Sequence, residues 1–311
     1  QPGEALAALQ RAVDLSPDYA EAWTNRGIAL GELRRSDEAL ASYDQALRLG
    51  YDSPLLHFNR ARLLQLLGRL EEALGAYGLT LAQIPGYREA WHNLGVLQER
   101  LGRLAEAQAS YERVVQLEPE APCTRGHLLF VRLRRGDWKG IDTLASTILR
   151  AIDAGQAAAE PFPVLAIDSS PQQQLRCAQA YAADKFPAGM ALPVIPAPVE
   201  APTRLRLAYF SADFHDHATA HLIAEVFERH DRSRFELIAF SFGPPSDDPW
   251  RRRLVAAFDR FEEVGDLTDR EIALRARALG VHVAVDLKGY TQDCRTGIFA
   301  HRAAPIQVNY L

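Results

Sequence analysis

Apolar and small residues recur at a fixed step of 34 residues along the first half of the chain. Four columns share this step: Gly27, Ala61 and Gly95; Leu33, Leu67 and Leu101; Ala39, Ala73 and Ala107; and Tyr43, Tyr77 and Tyr111. Each period holds apolar residues at helical spacing, then a short turn, then an alanine and a tyrosine four residues apart, which predicts two antiparallel helices. Because a lone helix pair cannot bury its apolar face, we expect the pairs to stack into a curved array with an inner groove.

The array extends beyond its three full periods, which occupy about residues 17–118. Ala5 and Leu9 fall on the columns of a second helix, so we expect the array to start in the middle of a repeat. Residues 123–152 keep an apolar stripe and predict a degenerate last repeat. Residues 1–152 are therefore assigned to one repeat domain.

Asparagine occupies one further column of the repeat, at Asn25, Asn59 and Asn93. A side-chain amide both donates and accepts hydrogen bonds, so this asparagine ladder can pair with the backbone of an extended peptide without reading its side chains. The alternative is that these asparagines only bridge neighbouring repeats or cap turns. The residues by themselves leave both interpretations open.

A connection between two domains is predicted over residues 153–203. It holds a predicted helix at Pro171–Lys185, and an extended proline-rich crossing follows that helix. The prolines of the crossing are Pro187, Pro193, Pro196, Pro198 and Pro202.

After Arg204 the pattern changes to short β-rich runs that alternate with helical stretches. The predicted strands are Leu205–Ser211, Leu237–Phe242, Phe261–Val264, Val281–Leu287 and Ile306–Leu311. The predicted helices are His217–His230, Asp248–Phe258, Asp269–Leu279 and Arg295–Arg302. This alternation predicts a parallel sheet with helices on both faces over residues 204–311, and such sheets carry their functional groups at the carboxyl ends of the strands.

The residues that follow the first predicted strand concentrate ionisable side chains, namely Asp213, His215, Asp216, His217 and His221. If a helix begins near Asp216, His217 lies in its first turn, where the positive end of the helix dipole disfavours a protonated imidazole. A neutral imidazole beside a carboxylate can accept a proton from a hydroxyl nucleophile, which makes His217 a candidate base. His221 and His215 are also typical of a hydrogen-bonded helix face and of an exposed loop.

Two common kinds of site are disfavoured at this segment. His217 and His221 have the spacing of two zinc ligands. However, Ala218 and Thr219 stand where a zinc hydrolase motif has its glutamate, and a third ligand is not obvious, so no metal is expected. The segment also lacks glycine, and without a GxGxxG fingerprint a nicotinamide or flavin enzyme is disfavoured.

The end of the fourth predicted strand carries a second set of polar groups. The side chains of Lys288 and Tyr290 and the backbone amide of Gly289 follow Asp286. Because the carboxyl ends of parallel strands share one edge of the sheet, these groups are candidates for stabilising a phosphate or an oxyanion. Taken alone, a strand followed by Gly and Tyr is usually only a turn.

Composition and charge narrow the class of protein further. The chain is 48% hydrophobic and 24% charged, as is usual for globular proteins. Its formal net charge of −5 argues against binding to nucleic acids or to anionic membranes. Apolar runs such as Val281–Leu287 are too short to span a bilayer. Because Cys123, Cys177 and Cys294 form neither a disulfide framework nor a metal clip, we expect a cytoplasmic location.

Three segments carry a resemblance to a known family. They read LRLAYFSADFHDHATAHL at 205–222, DLKGYT at 286–291 and RAAPIQV at 302–308. Together with an upstream array that resembles tetratricopeptide repeats, they are similar to the protein O-GlcNAc transferases, above all the bacterial members. The resemblance implies an α + α/β fold, in which a tetratricopeptide-repeat superhelix precedes the amino-terminal Rossmann-like lobe of a GT-B glycosyltransferase.

The resemblance also implies a reaction. Members of this family transfer GlcNAc from UDP-GlcNAc to Ser or Thr hydroxyls of proteins with inversion, without a metal or another cofactor. The family residue that matches His217 has been argued to be the general base, and the one that matches Asp213 to help move the proton. Thr219 and Tyr290 match positions around the donor sugar and the acceptor. The family holds acceptor polypeptide on an asparagine ladder, which favours that role here.

Two departures from the family pattern shape these expectations. Asp216 and Ala218 stand where animal members have Asn and Pro, a difference that can alter acceptor preference. The sequence ends at Leu311, where the family continues into a second lobe with most of the nucleotide contacts. We therefore expect the carboxy-terminal lobe of the same protein to complete the site, and weak UDP-GlcNAc binding without it.

Three alternative functions stay open on the sequence. The first is a repeat scaffold for protein binding whose sheet domain is not catalytic. The second is a relative that transfers glucose to asparagine side chains. The third, a zinc hydrolase, would depend on the two histidines at zinc-ligand spacing.

Overall fold

The computed structural model describes residues 2–194 and 203–310, which form two compact units that divide between Cys177 and Ala178. Residues 195–202 of the predicted crossing, which include Pro196, Pro198 and Pro202, and Leu311 of the last predicted strand lie outside the described residues. Along the described ranges, no helix combines the length and the apolar character needed to cross a membrane.

The first unit is a stack of helices that follows the 34-residue step. Its helices are α1 (Pro2–Leu15), α2 (Ala20–Glu32), α3 (Ser36–Arg48), α4 (Pro54–Leu66), α5 (Leu70–Gln83), α6 (Arg88–Arg100), α7 (Leu104–Leu117), α8 (Thr124–Arg135), α9 (Ile141–Asp153), α10 (Pro161–Val164) and the first half of α11 (Pro171–Lys185). The pairs α2–α3, α4–α5 and α6–α7 form the three full repeats. Helix α1 takes the place of a second helix against α2, and α8 with α9 forms the last pair.

The glycine and tyrosine columns of the repeat pack against each other. A Cβ atom on Gly27 would lie 2.5 Å from the ring of Tyr43, and one on Gly95 would lie 2.7 Å from the ring of Tyr111. All three tyrosines of the column are buried, together with Ala61 of the middle repeat. The fixed step therefore reflects close contact between the first and the second helix of each pair.

The turns inside the helix pairs share one unusual backbone conformation. Gly68, Gly102 and Gly136 have φ values of 73°, 72° and 66°, in the left-handed region that glycine adopts without strain. Arg34 occupies the same column with φ at 60°. The first repeat thus makes the same turn with an arginine, whose Cβ atom disfavours the left-handed conformation.

Part of the predicted connection packs into the first unit. Ala158, Ala159, Val164 and Cys177 are buried in a cluster with apolar residues of α8 and α9. The backbone of Ala159 approaches Gly126 so closely that a Cβ at Gly126 would lie 2.5 Å from the Ala159 methyl group. Residues 158–177 therefore contribute to a helical core rather than to an extended segment.

The second unit is a five-stranded parallel sheet with the strand order β3-β2-β1-β4-β5. Its strands are β1 (Leu205–Ser211), β2 (Phe235–Ser241), β3 (Arg260–Glu263), β4 (Val283–Asp286) and β5 (Ile306–Asn309). Its helices are the second half of α11, α12 (Ala218–Glu228), α13 (Pro249–Ala256), α14 (Asp269–Ala278) and α15 (Gly297–Ala300).

Alternating side chains of the strands supply two separate cores. Phe210 and Phe240 pack on one face with α14 and α15, whereas Tyr209 and Leu237 pack on the other face with α12 and α13. A parallel sheet covered by helices on both faces is the architecture that the alternation of strands and helices predicts.

Several predicted elements are shorter in the structure, and two of them are reduced to about half of their predicted length. The predicted strand Val281–Leu287 pairs only over Val283–Asp286, and Val281 and Leu287 are buried core residues on either side of it. The predicted helix Arg295–Arg302 is reduced to Gly297–Ala300, and Arg302 adopts a left-handed φ of 58° that ends it.

Candidate active site

The loops after β1 and β4 leave the sheet side by side. These strands are neighbours in parallel register, with Phe210 opposite Asp286 near their carboxyl ends. The chain runs to β2 on one side of β1, while β4 and β5 lie on the other, so the gap between β1 and β4 is a topological switch point. Open parallel sheets bind ligands at such points.

A buried ion pair joins these two loops. Lys288 Nζ lies 2.8 Å from Asp213 Oδ2, and the two side chains are only 7% and 9% exposed. The Asp213 backbone N–H donates to Ser211 Oγ at 2.9 Å, which fixes the first turn after β1. The structure thus brings together two site candidates that the sequence places in separate motifs, and the lysine ammonium contacts the carboxylate.

Asp286 is a buried carboxylate at the end of β4 that sequence reasoning passed over as a strand residue. Its Oδ1 accepts the backbone N–H of Lys288 at 2.8 Å. Burial raises its pKa above the ordinary value, while hydrogen bonds from the backbone of Lys288 and Gly289 act in the opposite direction. Asp286 therefore shapes the loop that presents Lys288.

His217 caps helix α12 instead of lying in its first turn. The helix begins at Ala218, and His217 has extended backbone angles of −150° and 153°. Its Nδ1 accepts the backbone N–H of Thr219 at 3.2 Å. The predicted helix from His217 therefore starts one residue later, and the imidazole satisfies one of the free N–H groups at the helix end, a role that usually falls to Ser, Thr, Asp or Asn.

This capping bond determines which nitrogen of His217 carries a proton. A neutral imidazole that accepts at Nδ1 holds its hydrogen on Nε2. Nδ1 also lies 3.6 Å from Asp213 Oδ2, which is beyond hydrogen-bond range. The side chain is 42% exposed. In this geometry Nε2 can donate a hydrogen bond to a bound group.

The other two histidines of the segment have different partners. His221 Nε2 lies 2.7 Å from Asp216 Oδ1, and its ring centroid is 3.9 Å from that of Trp250. His215 is half-buried and its Nδ1 lies 3.3 Å from the carbonyl oxygen of Asp216. Within residues 2–194 and 203–310, the structure contains no group of three or more His, Cys, Asp or Glu side chains arranged for a metal ion.

Thr219 lies at the start of α12, and Tyr290 lies in the loop after β4. Thr219 is the second residue of α12 and is half-buried, and its backbone N–H donates to His217 Nδ1. The ring of Tyr290 stands edge-on to that of Tyr181 at 5.6 Å. Tyr290 also lines a cavity of about 610 Å³, whose walls include Asp286 and Asn309. The carboxyl ends of β4 and β5 therefore open onto this cavity.

Arg251 on α13 supports the site from the other side of β1, and sequence reasoning missed it. Its Nη1 donates to the Phe214 carbonyl oxygen and to Ser241 Oγ, each at 2.9 Å. Its Nη2 pairs with Glu263, and its guanidinium lies 4.3 Å from the ring centre of Phe261. One buried arginine thus connects the carboxyl ends of β1, β2 and β3. The sequence of this arginine-rich helix does not indicate that role.

The asparagine ladder lies on the first helices of the three full repeats. Asn25 on α2 is exposed, whereas Asn59 on α4 and Asn93 on α6 are half-buried. Asn93 also forms a side-chain hydrogen bond with Tyr77. The ladder positions therefore differ in how much of the amide faces solvent.

Comparisons with known proteins define the class of this chain. Residues 195–311 match the model of glycosyl transferase family 41, and residues 3–33, 24–88 and 88–121 match tetratricopeptide-repeat models. The chain is therefore similar to tetratricopeptide-repeat proteins over its first part and to glycosyl transferase family 41 over residues 195–311, and the resemblance to protein O-GlcNAc transferases is confirmed.

Two curated relatives show which named proteins this chain is similar to. A probable UDP-N-acetylglucosamine–peptide N-acetylglucosaminyltransferase SEC of Arabidopsis thaliana is 30% identical over 173 residues, which are 53% of this chain and 17% of the relative. A UDP-N-acetylglucosamine–peptide N-acetylglucosaminyltransferase of Caenorhabditis elegans is 34% identical over 109 residues, which are 35% of this chain and 10% of the relative. The chain thus spans only a small part of these relatives.

One solved structure supports the fold as a whole. A mutant of the Thermobaculum terrenum O-GlcNAc transferase superposes with a TM-score of 0.50 and 21% identity, over 100% of this chain and 51% of that one. The predicted α + α/β fold, repeats followed by a small parallel sheet with helices, is confirmed.

Proposed function

We propose that the second unit forms one side of the active site of an inverting protein O-GlcNAc transferase. The substrates are UDP-GlcNAc and the Ser or Thr hydroxyls of polypeptides. The observation that carries the proposal is the meeting of Asp213, Lys288 and His217 at the switch point of a family 41 domain. We expect the carboxy-terminal lobe of the same protein to supply the rest of the nucleotide site.

The reaction joins the acceptor oxygen to the anomeric carbon of the sugar. The bond from that carbon to the β-phosphate oxygen breaks, UDP leaves with the electron pair, and the hydroxyl proton passes to a base. His217 can be that base through Nε2 only if its ring hydrogen moves to Nδ1, which requires release of the Thr219 N–H. Asp213, 3.6 Å from Nδ1, is placed to accept the hydrogen of that second tautomer.

The remaining candidates have supporting roles in this proposal. Lys288 is positioned by Asp213 and lies near a developing phosphate charge, which needs no metal or other cofactor to be neutralised. Thr219 and Tyr290 line the approach to the reacting sugar. The repeat unit binds acceptor polypeptide through the asparagine ladder, whose amides suit an extended backbone. Neither nucleic acid nor a membrane is expected as a partner, and the cytoplasm is the expected location.

The test uses the full-length protein with UDP-GlcNAc and a Ser/Thr peptide, read by mass spectrometry. We expect a mass gain of one N-acetylhexosamine on a hydroxyl side chain. His217→Ala should abolish the gain, whereas His215→Ala, a change of the histidine two residues earlier, should leave it. No transfer by the wild-type protein would favour the repeat scaffold. Transfer to asparagine would favour the N-linking relative, and loss of activity on chelation would favour the zinc hydrolase.

A further inference from the structure

A cavity of about 360 Å³ opens on the first unit. It lies between α4 and α6, the first helices of two neighbouring repeats, with α5 behind them. Its walls include Arg62, Gln65 and Leu66 from α4, Tyr77 from α5, and Asn93 and Arg100 from α6. One member of the asparagine ladder is therefore part of this cavity.

Arg62 and Arg100 carry uncompensated positive charge in this cavity, which we call the arginine cavity. Among the residues that the structure describes, neither Arg62 nor Arg100 has an ion-pair partner, and both are exposed. Other arginines of the array are paired, such as Arg60 with Asp44 at 3.0 Å and Arg103 with Glu71 at 2.7 Å. The lining residues include no acidic side chain, so the cavity presents two positive charges.

The remaining walls fix the surroundings of these charges. The guanidinium of Arg62 packs 5.9 Å from the ring centre of Phe58, which steadies its position. Tyr77 donates to Gln65 Oε1 at 3.2 Å and is hydrogen-bonded to Asn93. Burial raises the pKa of Tyr77 to about 12, and the charge of Arg62 acts against that rise.

The charge belongs to this level of the array and not to the repeat in general. At the Arg100 position, one step of 34 residues back is Leu66 and a further step back is Glu32. One step forward is Arg134, which is paired with Glu99 at 3.5 Å. In this column, Arg100 is the arginine without an ion-pair partner among the residues that the structure describes.

We propose that the arginine cavity binds an acidic side chain of the polypeptide that occupies the repeat unit. A carboxylate can accept charge-assisted hydrogen bonds from both guanidinium groups, and Asn93 of the asparagine ladder lines the same cavity. Leu66 is 81% exposed beside them and offers contact to an apolar neighbour of the acidic residue. The inference rests on the proposed function only in taking this polypeptide to be the acceptor, and it selects acceptors that carry Asp or Glu.

The test measures binding and does not depend on sugar transfer. A fluorescein-labelled, unstructured Ser/Thr peptide with three Glu residues is titrated with the 311-residue chain, and the same peptide with Gln in their place is the reference. Fluorescence anisotropy should show about tenfold tighter binding of the Glu peptide at low salt, the order expected for charge-assisted hydrogen bonds. The preference should shrink as added salt screens the exposed charges.

Matched variants separate a site from a general effect of charge. Arg62→Gln with Arg100→Gln should remove the preference for Glu. Arg11→Gln with Arg48→Gln removes the same charge from exposed positions on α1 and α3 and should preserve it. Equal binding of the two peptides to the wild-type chain, or loss of the preference in both double variants, overturns the proposal. Circular dichroism establishes that each variant is folded.

The outcome is independent of the proposed enzyme activity. A Glu preference that needs Arg62 and Arg100 supports the arginine cavity even if the full-length protein transfers no sugar. Conversely, transfer by the full-length protein with no Glu preference in binding supports the enzyme and overturns the arginine cavity.

Discussion

Lys288 Nζ and Asp213 Oδ2 form a 2.8 Å ion pair across 75 residues of sequence, with both side chains almost completely buried. The pair links the loop after β4 to the loop after β1, at the topological switch point of the sheet. A buried pair gains little over apolar residues of similar size, but loss of one partner leaves an uncompensated charge in the interior. Each residue is thus held in place by the other.

We predict strong coupling between these two residues in stability. Lys288→Met should lower the free energy of unfolding by roughly 3–5 kcal/mol, because Asp213 loses its counter-charge while it stays buried. Adding Asp213→Asn should recover a large part of that loss. Urea unfolding followed by circular dichroism measures both effects, and Lys185→Met, at an exposed lysine, is the control. Additive effects of the two changes would contradict the ion pair.

A second prediction concerns the capping role of His217. His217→Ala removes the hydrogen bond from Thr219 N–H and should cost about 1 kcal/mol of stability. His217→Asn replaces the imidazole by a preferred capping residue, so the variant should be at least as stable as the wild-type chain. Neither variant should transfer sugar in the full-length protein. Thermal unfolding distinguishes the two, and equal melting temperatures for the Asn and Ala variants would show that the cap contributes nothing.

The repeat part of the fold follows from the sequence because each column is a packing position. Gly27 and Tyr43 recur at the same step as Gly95 and Tyr111 because the ring of one helix lies on the glycine of the other. Such contacts join residues 16 apart within one helix pair, and a local pattern can therefore reveal them. The start of α12 is the exception, since the sequence does not show that a histidine takes the place of Ser or Asp at the cap.

The candidate site could be predicted only in part. The end of each strand indicates that Asp213, Lys288 and His217 lie at one edge of the sheet. Their pairing depends on β4 lying next to β1, and the alternation of strands and helices does not determine strand order. The same holds for Arg251, whose partners come from three different strand ends.

A third prediction concerns the strained turn in the first repeat. Arg34 has the left-handed φ that glycine supplies in the three later repeats, and that conformation costs a residue with a side chain ~1 kcal/mol or more. Arg34→Gly should therefore raise the free energy of unfolding by about 0.5–1 kcal/mol after the greater chain entropy of glycine is included. Arg35→Gly is the matched control and should destabilise, because Arg35 has a negative φ and an ion pair with Glu38. A loss of stability in Arg34→Gly, measured by urea unfolding, would argue against strain at this turn.

A fourth prediction follows from the buried carboxylate of Asp286. Burial raises its pKa in the folded state above the ordinary value of 3.8, so the folded chain holds this proton more tightly than the unfolded chain. Its contribution to stability is therefore complete below pH 3.8 and is lost as the pH rises through the raised pKa of the folded state. Above that pKa, the cost of ionising a buried carboxyl group counts against the folded state. Asp286→Asn keeps an oxygen to accept the Lys288 N–H and removes the charge.

The Asn variant should therefore be more stable than the wild-type chain at pH 7, and the difference should narrow as the pH falls towards 3.8. Urea unfolding of both proteins at a series of pH values between these limits measures this difference in the free energy of unfolding. Asp184→Asn, a change at an exposed carboxylate on α11, provides the reference for substitution without burial. A difference between the Asp286→Asn and wild-type proteins that stays constant with pH would mean that burial does not favour the protonated form of Asp286.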